Sequence, residues 1–256
     1  MNETWIFAGL ASLLGLTVGS FLNVCALRWP VDESVVRPRS RCGTCSAPVE
    51  WYDNLPVLSW ILLRGRCRRC AAPISIQYPS VELVSGLIWG GMVWMHGVDV
   101  EALRGAVFLS ILLGIAVSDA RFYIIPDEFS LGGTGLGLLF SLLAPSISLS
   151  SSAVGGAFGF VLLWSVAWAG EKAFKKEAMG GGDIKMMAMI GVFLGIPGVL
   201  LSLFLGALLG SVVFAPISYK SGKLVPFGVF LAVGGAAGYL WGDALVEWYL
   251  SWAFGT

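Results

Sequence analysis

Long apolar runs separated by short polar stretches dominate the chain. The first, residues 5–27, carries no charged side chain and is long enough for a helix to cross a bilayer core of about 30 Å. A second run begins near Tyr78-Pro79-Ser80-Val81-Glu82 and ends at His96, and others cover 103–118, 129–143 and 153–170. Residues 186–218 stay apolar for over thirty positions, too many for one crossing of about twenty, and Ile196-Pro197-Gly198 divides the stretch in two. A last run extends from Phe227 to about Asp243. This pattern predicts an all-α polytopic membrane protein of about eight transmembrane helices.

Composition supports that reading. With 57% hydrophobic and 12% charged residues and a mean hydropathy of +0.81, the chain must use lipid as part of its solvent. Formal net charge is zero, so no overall basic field points to nucleic acid. The first run has Glu3 rather than a basic residue at its head and no small-x-small cleavage site, which reads as a retained helix, not a signal peptide. Cys25 follows the bulky Val24 and reads as a small buried apolar residue rather than a lipidation site.

Charge sets the expected topology. Residues 28–80 form the one long polar region and hold eight of the sixteen Lys and Arg, so they are expected in the cytoplasm. Eight crossings bring fifteen of the sixteen to that side, including Lys220 and Lys223, and leave Arg104 opposite; seven would misplace Lys220 and Lys223. Both termini then lie outside the cytoplasm. The organisation expected is a first helix over 1–27, a cytoplasmic tetracysteine region over 28–80, and a helix bundle over 81–256.

The polar region contains Cys42-Gly43-Thr44-Cys45 and Cys67-Arg68-Arg69-Cys70. Two CxxC pairs about twenty residues apart match a zinc ribbon, in which four thiolates close a tetrahedral shell. Cys42, Cys45, Cys67 and Cys70 are therefore expected to hold a structural zinc, with Arg41, Arg66, Arg68 and Arg69 offsetting its charge. A redox or disulfide role is the alternative, weakened by a location where thiols stay reduced. Nucleic-acid binding is another, for which four arginines are few. Between the knuckles, residues 51–60 are aromatic and apolar around Pro56 and are expected along the membrane surface. Ser80 is expected to cap the second span, with Glu82 in its first turn stabilised by the helix dipole. His96, the single histidine, has no partner in sequence.

Candidate chemistry gathers on acids. Gly180-Gly181-Gly182-Asp183-Ile184-Lys185 delivers a carboxylate to the mouth of an apolar run, and Asp119 closes another. Ionisable groups at the edge of hydrocarbon are functional candidates. Although sixty-four positions apart, both fall at the cytoplasmic interface in the topology above. Two adjoining carboxyl groups resist ionising together, so one keeps a proton while the other can activate water, the equipment of an aspartic peptidase. The plainer alternative makes the glycines a turn and Asp183 a helix cap. Asp127, beside Pro126 at a helix start, is the rival partner for Asp183, although capping alone accounts for it. Glycines such as Gly180 and Gly182 let backbone approach an extended peptide and stay mobile. Lys185 is expected to contact lipid phosphate or to stabilise an ionised Asp183. A transporter using intramembrane Asp residues for protons or ions is the alternative class.

The chain resembles the type IV prepilin peptidases, also called prepilin leader peptidases or methyltransferases. The resemblance rests on Gly19-Ser20-Phe21-Leu22-Asn23-Val24 with Arg28-Trp29-Pro30, the two CxxC pairs, residues 54–60, and Tyr78-Pro79-Ser80-Val81-Glu82. It continues through 119–127, Gly180 to Lys185, and Pro226-Phe227-Gly228. It implies that Asp119 and Asp183 are the catalytic pair and that Asp127, Gly180, Gly182 and Lys185 are auxiliary. It also implies a bacterial inner-membrane enzyme, working at the cytoplasmic face, that cuts leaders from prepilins or pseudopilins of type IV pilus and type II secretion systems. Methylation of the new N-terminus with S-adenosylmethionine is implied by the resemblance alone. Trp29 before Pro30, and Gly43-Thr44 between the first two cysteines, depart from the usual pattern without touching the acids.

Overall fold

The computed structural model describes residues 2–144, 146–176, 179–221 and 226–255. Among these no strand forms, and the elements are α1 (Asn2–Arg28), a short α2 (Leu58–Leu62), α3 (Gln77–His96), α4 (Val100–Phe122), α5 (Asp127–Leu143), α6 (Leu149–Phe174), α7 (Gly181–Ser221) and α8 (Phe227–Phe254). Five of them, α1, α4, α6, α7 and α8, are long and apolar enough to cross a membrane. With α3, α5 and a break inside α7, each apolar run of the sequence is helical in the order expected. The break falls at Gly195, whose φ of 67° and ψ of −173° interrupt the helix, one position before the expected Ile196-Pro197-Gly198. Pro197 lacks the N–H that would carry the helical ladder across this point. Lys223 lies outside the described residues, as does the side chain of Lys220.

Two compact units divide the chain within α4, Met1–Gly114 and Ile115–Thr256. In the first, α1 packs on α3. The contact is close because glycines face it: a Cβ on Gly19 would lie 2.7 Å from the Glu82 Cα, and one on Gly86 would lie 2.9 Å from Leu16 Cδ2. In lipid, where apolar helices gain little by leaving one another's company for solvent, such small-residue seams give the van der Waals contact that holds helices together. The same unit carries the cysteine loop. Trp60 donates its Nε1–H to the Ile74 carbonyl at 3.1 Å, and Arg68 grips Asp53 through Nε and Nη2, so the segment between the knuckles is tied to the second knuckle.

In the second unit α7 is central, packing on α5, α6 and α8. Its first half buries Met186, Met187, Met189, Ile190 and Phe193 completely or nearly so. Gly137 of α5 and Gly156 of α6 both give way to Val192, and Ser152 donates its hydroxyl to the Val192 carbonyl at 2.6 Å, just before the break. The unbroken apolar register therefore fixes the start of α7, which carries Asp183, against its neighbours.

Candidate functional site

Asp119 occupies the last turn of α4 and is 5% exposed. A carboxylate at a helix C-terminus meets the negative end of the dipole, which is unfavourable. The compensation comes from α8: Asp119 Oδ2 accepts the Val229 N–H at 3.0 Å, and the Gly228 N–H also points to this carboxylate. The Asp119 carboxyl thus caps the start of α8 through Val229, 110 residues further along the chain. Beyond it, Tyr123 adopts φ 58° and donates its N–H to the Asp119 carbonyl at 2.9 Å, while Ser118 Oγ donates to the Ile124 carbonyl at 2.7 Å. This turn ends α4 and aims Ile125 inward.

Ile125 is the spacer of the site. It is 9% exposed and lies against two glycines: a Cβ on Gly182 would sit 2.9 Å from Ile125 Cβ, and one on Gly228 would sit 2.7 Å from Ile125 Cδ1 and 2.9 Å from Asp119 Oδ2. The starts of α7 and α8 are therefore gathered around one side chain beside Asp119. Asp183 is the third residue of α7 and half-buried, its N–H donating to the Gly180 carbonyl at 3.2 Å. The two carboxyl groups are near enough for the charge of Asp119 to act on Asp183. This juxtaposition can hold one proton and one negative charge about a water.

The structure bears on four sequence expectations. Gly181 and Gly182 are already helical rather than a mobile strip, so Gly182 matters for its lack of a Cβ against Ile125. Lys185 Nζ bonds both Asp127 oxygens, at 2.7 and 2.8 Å, linking the starts of α5 and α7. Asp127 is correspondingly exposed and engaged by a cation, not placed as a partner to Asp183. Glu82 lies beyond the first turn of α3, which starts at Gln77; it is 8% exposed and accepts the Val57 N–H at 2.7 Å. The close contacts of Ile125 and Gly228 had no signal in composition or spacing, because they join segments far apart in the chain.

The cysteine loop is built twice. Cys42 N–H donates to the Ala47 carbonyl and Ser46 N–H to the Cys42 carbonyl, both at 2.9 Å; Cys67 with Ala72 and Ala71 repeats the arrangement at 2.8 and 2.9 Å. Ser46 and Ala71 both take positive φ, 56° and 57°. All four Sγ atoms lie within 4.8 Å of one another, and Cys42 and Cys70 are 3.8 Å apart. A tetrahedron with Zn–S of about 2.3 Å has edges of roughly 3.8 Å, so the quartet fits a tetrahedral metal ion. The amides of Cys45 and Thr44 hold the Cys42 thiol down at about 6, and those of Cys70 and Arg69 lower Cys67. At Cys70 the Ala72 amide is outweighed by the hydrogen bonds to Cys45, Cys67 and Cys42 and by desolvation, which push the thiol up to about 12. Four crowded sulfurs that cannot all ionise alone call for a cation among them.

These features define a multi-pass helical membrane protein with a metal-fitting cysteine loop and paired acids at helix ends. Residues 13–96 match the Bacterial Peptidase A24 N-terminal domain and residues 106–215 the Type IV leader peptidase family, and the chain belongs to that family. It is 35% identical over 275 residues to a prepilin leader peptidase/N-methyltransferase of Aeromonas hydrophila, covering 96% of this chain and 95% of that protein. A protein of the same name from Stutzerimonas stutzeri is 36% identical, with 96% and 95% covered, and one from Neisseria gonorrhoeae 32%, with 94% of each. No solved structure matches the chain.

Proposed function

We propose that the protein is an inner-membrane aspartic endopeptidase that removes the leader from type IV prepilins or pseudopilins at the cytoplasmic face, and then methylates the new N-terminal amine with S-adenosylmethionine. The observation that carries the peptidase reading is the meeting of Asp119 and Asp183 around Ile125 and the start of α8. Asp119 accepts two backbone N–H groups of a helix N-terminus, which hold its carboxyl in place beside the start of α8. One carboxyl group of the pair, ionised, is the general base that takes a proton from water. The other keeps the shared proton and donates a hydrogen bond to the scissile carbonyl, polarising it for attack. As the tetrahedral intermediate collapses, the proton gained by the base passes to the leaving amine; the two titrate as a unit. The Asp127–Lys185 pair fixes the first turn of α7 and so the position of Asp183.

Zinc is the ion assigned to the cysteine quartet, where it would join the two knuckles; the site uses all four thiolates and is structural. Family membership leaves the ion-coupled transport reading without support. The test is direct: purified protein in detergent is incubated with a synthetic prepilin, with and without S-adenosylmethionine, and the product's N-terminal mass is read. Leader removal without the methyl donor, and a product one methylene heavier with it, are expected. An intact prepilin under both conditions would overturn the proposal.

A further inference from the structure

The residues that match the peptidase family contain both Asp119 and Asp183, whereas the first unit holds a separate buried polar cluster that the cleavage chemistry does not use. Glu82 of α3 is 8% exposed, and its carboxylate takes the Val57 N–H at 2.7 Å and the Ser20 hydroxyl. The described ion pairs leave it without a cation. A carboxylate withdrawn from water is costly unless a positive charge answers it. On the facing turn of α1, Asn23 is 1% exposed; its Nδ2 donates to the carbonyls of Tyr78 and Gly19, and its Oδ1 has no partner among the described residues. Ser85, fully buried one turn along α3 from Glu82, also has a hydroxyl without a partner among the described residues. Gly19 makes these groups neighbours, since a Cβ there would touch both the Glu82 Cα and the Ser85 Cβ, at 2.7 and 2.8 Å.

The segment that closes over this cluster is strained. Val57 has φ 62° and ψ −50°, a conformation a β-branched residue adopts only where its surroundings impose it. The strain directs its N–H at Glu82. A structural latch would need one acceptor, which an amide side chain supplies; the cluster instead offers a buried carboxyl group with two oxygens and an unused amide oxygen. Acceptors in excess of donors fit a ligand that is cationic and donates hydrogen bonds.

We infer that this cluster is the methyl-transfer site, with Glu82 and Asn23 receiving the free N-terminal ammonium of the cleaved pilin. The inference rests on the methyltransferase reading above and assigns it to residues distinct from the cleaving pair. Glu82 takes a proton from the ammonium and passes it to solvent; the exposed nitrogen lone pair attacks the methyl carbon of the sulfonium donor. A C–N bond forms, the C–S bond breaks, and its electron pair returns to sulfur to leave a neutral thioether. The new secondary ammonium is the product.

Full-length protein carrying Glu82→Gln keeps an acceptor for the Val57 N–H but loses the group that can take a proton. With synthetic prepilin and S-adenosylmethionine it is expected to remove the leader at the wild-type rate, while methylation falls by about a hundredfold or more. By calorimetry, a mature N-terminal peptide with a free amine should bind wild-type protein at least about tenfold more tightly than its N-acetylated form, and Glu82→Gln should erase that preference. Asn23→Ala, which leaves the bonds of Glu82 in place, should lower methylation and the preference in the same direction and keeps the test open if Glu82→Gln unfolds. Undiminished methylation in folded Glu82→Gln or Asn23→Ala protein overturns the assignment, as does an unchanged preference for the free amine. Wild-type protein that cleaves the leader but transfers no methyl overturns the methyltransferase reading and this inference with it.

Discussion

Gly228→Ala probes the contact on which the geometry of the acids depends. The added Cβ would lie 2.9 Å from Asp119 Oδ2 and 2.7 Å from Ile125 Cδ1, whereas carbon contacts relax to about 3.5–4.0 Å. Both crowded atoms are side-chain ends, so the strain is relieved by moving them. Ile125 must retreat by roughly 1 Å and the Asp119 oxygen by about half that. A misplacement of about 1 Å costs on the order of a hundredfold in rate, which sets the expected fall in kcat/KM at about ten- to a hundredfold. Stability should change little, because overpacking of about 1–3 kcal/mol is partly offset by the about 0.5–1 kcal/mol that Ala gains over Gly in a helix. Gly132→Ala in α5, where a Cβ meets nothing within 4 Å, is the matched control and should cleave normally. Leader cleavage by both variants is followed in detergent beside thermal unfolding. A Gly228→Ala protein with the wild-type rate would refute the idea that Asp119 is held against the start of α8.

Other consequences follow from the same contacts. Chelation, or serine at Cys42 and Cys70, should release bound zinc and lower the melting temperature by at least several degrees, read by metal analysis with thermal unfolding; unchanged stability in the zinc-free protein would contradict the ribbon. Lys185→Met should leave Asp127 unpaired and lower the cleavage rate about two- to fivefold, as suits a partly exposed ion pair, with Lys185→Arg restoring most of the rate. Asp53 is held below its ordinary range by its hydrogen bonds to Arg68, opposed by desolvation. Its contribution is therefore fully present above the unfolded value, about 3.9, and is lost as pH falls through the lower folded value; Asp53→Asn should remove that part of the acid-side loss in a pH series of unfolding curves.

Helix positions were legible because lipid imposes length and apolarity on each span, and the break within 186–218 was legible because no single span is that long. The cysteine knuckles were legible because ligand spacing is local. Contacts between remote segments were not. Lys185 meets Asp127, fifty-eight residues away, and Val229 meets Asp119 across 110; neither pairing leaves a periodic trace. Helix starts misled in two places: the triple glycine suggested flexible backbone where α7 has already begun, and Ser80 suggested a cap inside a helix that starts at Gln77. Glycine has weak helix propensity, but close packing against Ile125 outweighs it at Gly182.

The most direct measurement is the N-terminal mass of a synthetic prepilin after incubation with purified Asp119→Asn and Asp183→Asn proteins. Asparagine at 119 keeps an oxygen to receive the Val229 N–H, and at 183 it leaves the backbone bond to the Gly180 carbonyl in place, so both variants should fold with wild-type melting temperature and zinc content while the substrate stays uncut. Mature pilin produced by either variant at a substantial fraction of the wild-type rate would contradict the account.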